Sequence, residues 1–178
     1  MRNPGRKNSR IIGIDPGSIF CGYGVIEQRN PNTAVYVASG RIAMNKYDPL
    51  HNRLCSLYND LTEIIREYRP DEAVIEKIFY AKGVKAALNL GHARGIALLT
   101  ASLENLGIFE YSALEVKKSV VGYGKADKNQ VSIMVSRILS ITRPLSEDSA
   151  DALALALCHA NASPILSMTD SSYQRAER

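Results

Sequence analysis

The chain has 178 residues, of which 46% are hydrophobic, enough for the core of one ordinary domain. Its net charge of +4 comes from a basic start (Arg2, Arg6, Lys7, Arg10); beyond it, acids and bases balance, so charge alone does not argue for a polyanionic partner. No apolar run nears the roughly 20 residues that cross a bilayer, no signal-type stretch follows the basic start, and Cys21, Cys55 and Cys158 lack zinc or disulfide spacing. A cytoplasmic protein with reduced, packing cysteines is expected.

Strand signals come first, at Arg10 to Asp15, Gly22 to Gln28 and Val35 to Met44, separated by the turn-forming DPGS and NPN segments. Three in succession predict an antiparallel meander. Asp48 and Pro49 then open a helix with Leu50, Leu54, Leu57, Leu61, Ile64, Ile65 and Tyr68 at helical spacing, ended by Arg69-Pro70. A short buried strand, Ala73 to Ile75, leads to Glu76. Val84 to Leu106 reads as a second helix with small residues Gly91, Ala93, Gly95 and Ala97, which permit close helix packing. Ile108 to Tyr111 is a fifth strand and Leu114 to Val121 a short helix. Asp127 with Gln130 resembles a capping box that starts a helix to about Leu139. After Pro144, Ser146 to Ala160 is a last helix, so rich in Ala and Leu that it must be buried on most sides. The prediction is one α/β domain over residues 1–178, with a core at about 10–162 and polar, mobile tails at both ends.

Four carboxylates carry the chemistry. Asp15 and Glu76 each end an apolar strand, where a side chain projects past the sheet edge, although DPGS alone is as well explained as a turn and a lone strand-end Glu as a solvated one. Asp148 and Asp151 are three apart and lie about 60° apart on one helical face. That face continues through Leu155 and Cys158 into core, which fits Asp151 poorly to the alternative that first-turn acids merely complement the helix dipole. Inward-facing acids repel unless a cation or proton shares them, and magnesium suits oxygen ligands completed by water and phosphate. If the first and fourth strands are neighbours and the last helix crosses their ends, the acids form a two-metal site for phosphodiester hydrolysis.

The segments IGIDPG with GYGVI, AVIEKIF, LNLGHARG, EYSALEVKKSVVGYGKADKNQV and DSADALALALCHA, in this order over roughly residues 10–162, resemble the RuvC family of Holliday junction resolvases. The resemblance implies an RNase H-like fold with a five-stranded mixed sheet flanked by helices. It implies that Asp15, Glu76, Asp148 and Asp151 are the catalytic, Mg2+-binding acids, with two ions per subunit and Mn2+ able to substitute. It further implies that Lys117 and Lys128 assist cleavage or hold phosphate. Phe79 matches an aromatic that stacks on a base near the junction centre, and Lys82 and Lys85 give it a DNA-binding setting. The implied function is a structure-selective endonuclease in DNA recombination and repair that makes paired symmetric nicks with 5′-phosphate and 3′-hydroxyl ends. Its implied partners are four-way junction DNA and a branch-migration complex of the RuvA and RuvB type; the two-fold symmetry of a four-way junction adds a second copy of the chain, for which Leu88, Gly91, Gly95 and Leu99, spaced along one helical face, offer a contact. Two alternatives stay open: a non-catalytic DNA-structure binder of the same fold, and an actin-like or sugar-kinase-type ATPase fragment, which shares a GIDxG strand end but needs a second lobe.

Overall fold

The computed structural model describes residues 8–77 and 83–176, with residues 85, 86 and those beyond 162 described by their backbone alone. Three strands open the chain, β1 (Ser9–Asp15), β2 (Phe20–Asn30) and β3 (Thr33–Ala43). They form the antiparallel meander that the alternating pattern predicts, with Ile14 opposite Tyr23 and Tyr23 opposite Gly40. Helix α1 (Leu50–Tyr68) crosses to β4 (Glu72–Glu76), which runs parallel to β1, and α2 (Val84–Leu103) crosses to β5 (Gly107–Tyr111), parallel to β4. The sheet order is β3-β2-β1-β4-β5, so the first strand is central and the fourth lies beside it. Three helices close the fold, α3 (Ala113–Val121), α4 (Lys128–Ile138) and α5 (Glu147–Ala176).

Each sheet face carries one apolar layer. On one, Ile12, Ile14 and Val25 pack under Leu57, Leu61 and Ile65 of α1 and Ala93, Ala97 and Ala101 of α2. On the other, Ile11, Ile26 and Val74 pack under α5, with Val116 and Val120 of α3 and Val131 and Val135 of α4 beside it. Helix α1 stops where Arg69 takes a left-handed conformation (φ 47°) ahead of Pro70. Helix α4 starts at the capping box of Asp127 and Gln130, and a second box, Ser112 with Glu115, starts α3.

Helix α5 fixes the geometry of everything that follows. Its residues Ala152 to Ala160 are all buried, as their composition requires. The backbone meets the sheet with no side chain between them at Gly13 and Gly22, where an added Cβ would stand 1.9 Å from the Ala152 carbonyl oxygen and 2.1 Å from that of Asp148. Only glycine permits this approach. The helical backbone also continues through Ala176, past the boundary the sequence sets at Ala160. Ala, Leu, Met, Gln and Arg are good helix formers, and helicity does not need an apolar stripe. Pro164 leaves the carbonyl of Ala160 without its backbone donor, and the Gln28 side-chain amide donates to that oxygen at 2.7 Å. Among the cysteines, Cys21 and Cys158 pack in the interior, whereas Cys55 is exposed rather than a packing residue. His159 is a hydrogen-bonded core residue as its helix suggests, 1% exposed, with Nδ1 at 2.8 Å from the Tyr111 hydroxyl and Nε2 at 3.2 Å from Glu72. Among the described residues, no helix is long and apolar enough to cross a membrane.

Candidate active site

Asp15 is the last residue of β1 and Glu76 the last of β4. Because Ile14 and Ile75 are partners in the parallel ladder, the two carboxylates leave the same sheet edge side by side. The close packing of α5 on Gly22 brings the first turn of that helix, with Asp148, to the same edge, and Asp151 follows one turn on. Ser146 supports that turn, its hydroxyl accepting from the Ser149 amide at 3.3 Å.

The four acids feel one another. Burial first, then the charges of Asp151, Glu76 and Asp148, push Asp15 from the ordinary aspartate value of 3.8 to about 7, against the opposing pull of Lys128. Burial likewise raises Glu76, with Asp151 adding to it and Lys128 and Lys117 opposing. Asp151 is raised by burial despite the hydrogen-bonded Lys128. All three carry the signature of carboxylates held closer together than protons alone favour.

Cations flank the acids. Lys128 Nζ donates to Asp151 at 3.2 Å and to Glu147 at 2.5 Å, and these carboxylates raise its own pKa. Arg41 lies 3.7 Å from Asp148 on the other side. Among the described residues no three acid, histidine or cysteine side chains close into a finished metal cage. The donor set itself fits a hard divalent cation: it offers only carboxylate oxygens, it is partly buried, and its charge is already met in part by side-chain cations.

Of the basic residues singled out in the sequence, Lys128 contacts the acids directly and Lys117, on α3, lies within electrostatic reach of Glu76. Phe79 and Lys82 fall outside the described residues, and Lys85 is placed only as a backbone position in the first turn of α2. Sequence reasoning missed two arginines. Arg94, within LNLGHARG, donates from Nε to the Glu76 carbonyl oxygen at 3.3 Å and pairs with Glu110, tying the end of β4 to α2 and β5. Arg41 reaches Asp148 because β3 places it opposite Gly22, a register the sequence does not display.

A mixed sheet in this order, with acids at the ends of adjacent β1 and β4 and in the first turn of the helix packed across them, is the framework of an RNase H-like nuclease. A family model described as crossover junction endodeoxyribonuclease RuvC matches residues 11–159. A RuvC of Geotalea uraniireducens is 45% identical over 159 residues, covering 89% of this chain and 92% of its own. The structure of Thermus thermophilus RuvC in complex with a Holliday junction substrate superposes with a TM-score of 0.83 at 28% identity, over 88% of this chain and 96% of that one. Ydc2, a yeast mitochondrial Holliday junction resolvase, shares the fold with a TM-score of 0.66 at 15% identity, over 97% of this chain and 86% of its own. The chain belongs to the RuvC family of crossover junction endodeoxyribonucleases. It is therefore a nuclease, a hydrolase of DNA phosphodiester bonds that acts in Holliday junction resolution.

Proposed function

We propose that the chain resolves four-way DNA junctions as a homodimer, each subunit cutting one strand with Asp15, Glu76, Asp148 and Asp151. The observation that carries this reading is the convergence of four acids from β1, β4 and α5 at one sheet edge, with cations on both flanks. The four acids are the residues that would hold Mg2+, two ions per subunit, with Mn2+ as a substitute. When bound, the metal supplies Lewis-acid charge that offsets the scissile phosphate and favours attack by water. The protein supplies the rest. Asp15 and Glu76 would serve as ligands in their ionised form, and Arg94 keeps the end of β4 in place. Lys128, beside Asp151, would face the phosphate and the leaving 3′-oxygen. Lys117 lies close enough to share that task. The products are 5′-phosphate and 3′-hydroxyl ends.

Two cuts at equivalent positions need two sites related by the junction's two-fold axis, and α2 offers the interface. Ala93, Ala97 and Ala101 face the sheet, whereas Leu88, Leu99 and Leu103 are more than half or half exposed (58%, 50% and 56%) and Gly91 and Gly95 face open space. A groove beside them, lined by Leu54, Tyr58, Ile96, Leu99 and Leu103, extends the apolar surface onto α1. We assign to the segment with Phe79, Lys82 and Lys85 contacts at the junction centre, and to the whole a cytoplasmic setting beside a branch-migration complex of the RuvA and RuvB type. The test is to incubate the protein with labelled four-way junction or plain duplex, with and without magnesium. Paired nicks in the junction alone, dependent on metal, are expected; equal cutting of duplex, or binding without cutting, overturns the reading.

A further inference from the structure

On the flank of the site away from the lysines, a guanidinium lies over an aromatic ring. Phe20 opens β2, and the register pairs Phe20 with Ala43 and Gly22 with Arg41, so Phe20 and Arg41 are diagonal neighbours on the α5 face of the sheet. The Arg41 guanidinium carbon stands 4.0 Å from the centre of the Phe20 ring. Its Nη1 is 3.7 Å from Asp148, an ion pair too long for a hydrogen bond. Both residues remain accessible, Phe20 at 39% and the Arg41 side chain at 45%.

An aromatic ring left half open at the edge of a site, and covered by an arginine, contributes little to the core. What it does is fix a plane. Guanidinium carries five N–H donors in a rigid fork that matches phosphate oxygens, and among the described residues Arg41 forms no hydrogen bond that would occupy that fork. Its ionic partner among the described residues, Asp148, is one of the acids that would hold a divalent cation. When it does, the guanidinium loses its counter-charge while keeping its orientation on Phe20. A DNA backbone phosphate is an anion whose shape matches that fork.

We propose that Arg41, aligned by Phe20, binds a DNA backbone phosphate adjacent to the scissile one, on the flank opposite Lys117 and Lys128. The proposal rests on the reading of the four acids as the cleavage site. It gives the scissile strand a cation on each side, with Arg41 on Asp148 placed as Lys128 is on Asp151.

The experiment measures equilibrium binding of a labelled four-way junction, by fluorescence anisotropy over a range of salt, for wild type, Arg41→Ala, Arg41→Lys and Phe20→Leu, in EDTA and in calcium. In calcium, Arg41→Ala should weaken binding about tenfold, and the slope of log K against log salt should fall by about 1, the mark of one lost phosphate contact. Arg41→Lys and Phe20→Leu should keep the slope yet bind less tightly than wild type, because charge survives and alignment does not. In EDTA, where Asp148 retains the guanidinium, the Arg41→Ala effect should shrink. An unchanged affinity and slope for Arg41→Ala in calcium overturn the proposal, and so does a weaker affinity with unchanged slope and a lowered melting temperature, which marks a structural role. A wild type that does not prefer the junction to duplex refutes the underlying reading instead, so the two failures are distinct.

Discussion

Replacing Asp15 by Asn should stabilise the metal-free protein, and increasingly so as pH rises from about 4 to 7. The carboxyl of Asp15 is pushed from 3.8 to about 7, by burial first and then by Asp151, Glu76 and Asp148. A raised pKa means that between about pH 4 and pH 7 the folded chain holds a proton the unfolded chain has released, so stability falls as pH rises through that window. At roughly 1.4 kcal/mol per tenfold change in proton affinity the full cost above pH 7 is about 4 kcal/mol. Partial access to water trims it, and about 2 to 4 kcal/mol is expected. Asn has the same shape and no charge to bury. At pH 4 in EDTA the variant and wild type should melt within a few degrees of each other; at pH 8.5 the variant should melt higher by roughly 5 to 15 °C, given about 2–4 °C per kcal/mol for a chain of this size. Magnesium should narrow the gap, since binding adds about 2.7 kcal/mol to the wild type at a hundred times its Kd and adds little to a variant short of one ligand. The assay is thermal unfolding by circular dichroism at both pH values, with and without metal. A gap that does not change with pH, or a variant less stable than wild type at pH 8.5 in EDTA, would refute the account of the crowded acids.

Three further outcomes follow from the packing and the charges. Gly22→Ala places a Cβ 2.1 Å from the Asp148 carbonyl oxygen, so it should cost about 1–3 kcal/mol and reduce cleavage more than junction binding; wild-type cleavage at wild-type melting temperature would show that this contact does not set Asp148. Lys128→Met should lower the single-turnover cleavage rate on the order of a hundredfold with little change in junction affinity in calcium, and a rate within threefold of wild type would remove Lys128 from the chemistry. Leu99→Glu, on an exposed position, should leave the subunit's stability within about 0.5 kcal/mol yet yield monomers in sedimentation and single rather than paired nicks; a persistent dimer would move the interface elsewhere.

The fold was largely legible because its elements are locally consistent. The alternation from Arg10 to Met44, the apolar spacing of the helix ended by Arg69-Pro70, and the box of Asp127 with Gln130 each specify one element by themselves. The placement of the acids was legible for a related reason: Asp15 and Glu76 end apolar strands, and Asp148 and Asp151 share a helical face that becomes core at Leu155 and Cys158, both 3% exposed. The flanking arginines were not, since Arg41 meets Asp148 only through a β2–β3 register that itself shifts at Val25 and Ile26. Arg94 reads as one more polar residue on a helix until β4 ends beneath it. The boundary at Ala160 erred because apolar periodicity reports burial and not helicity, and good helix formers follow it.

The same contacts explain how a chain tolerates four acids at one edge. Their repulsion is imposed by rigid parts, since Asp15 and Glu76 are fixed by the ladder between β1 and β4 and Asp148 by a helix seated directly on Gly13 and Gly22. The backbones that carry the acids are fixed, so relief comes in part from cations brought to them, and Lys128 and Arg41 supply it. Both are groups that bind phosphate equally well. On the reading proposed above, a divalent cation at Asp148 and Asp151 would replace the side-chain cations at those acids and leave them available to the strand, so that metal loading and phosphate binding would be coupled through charge.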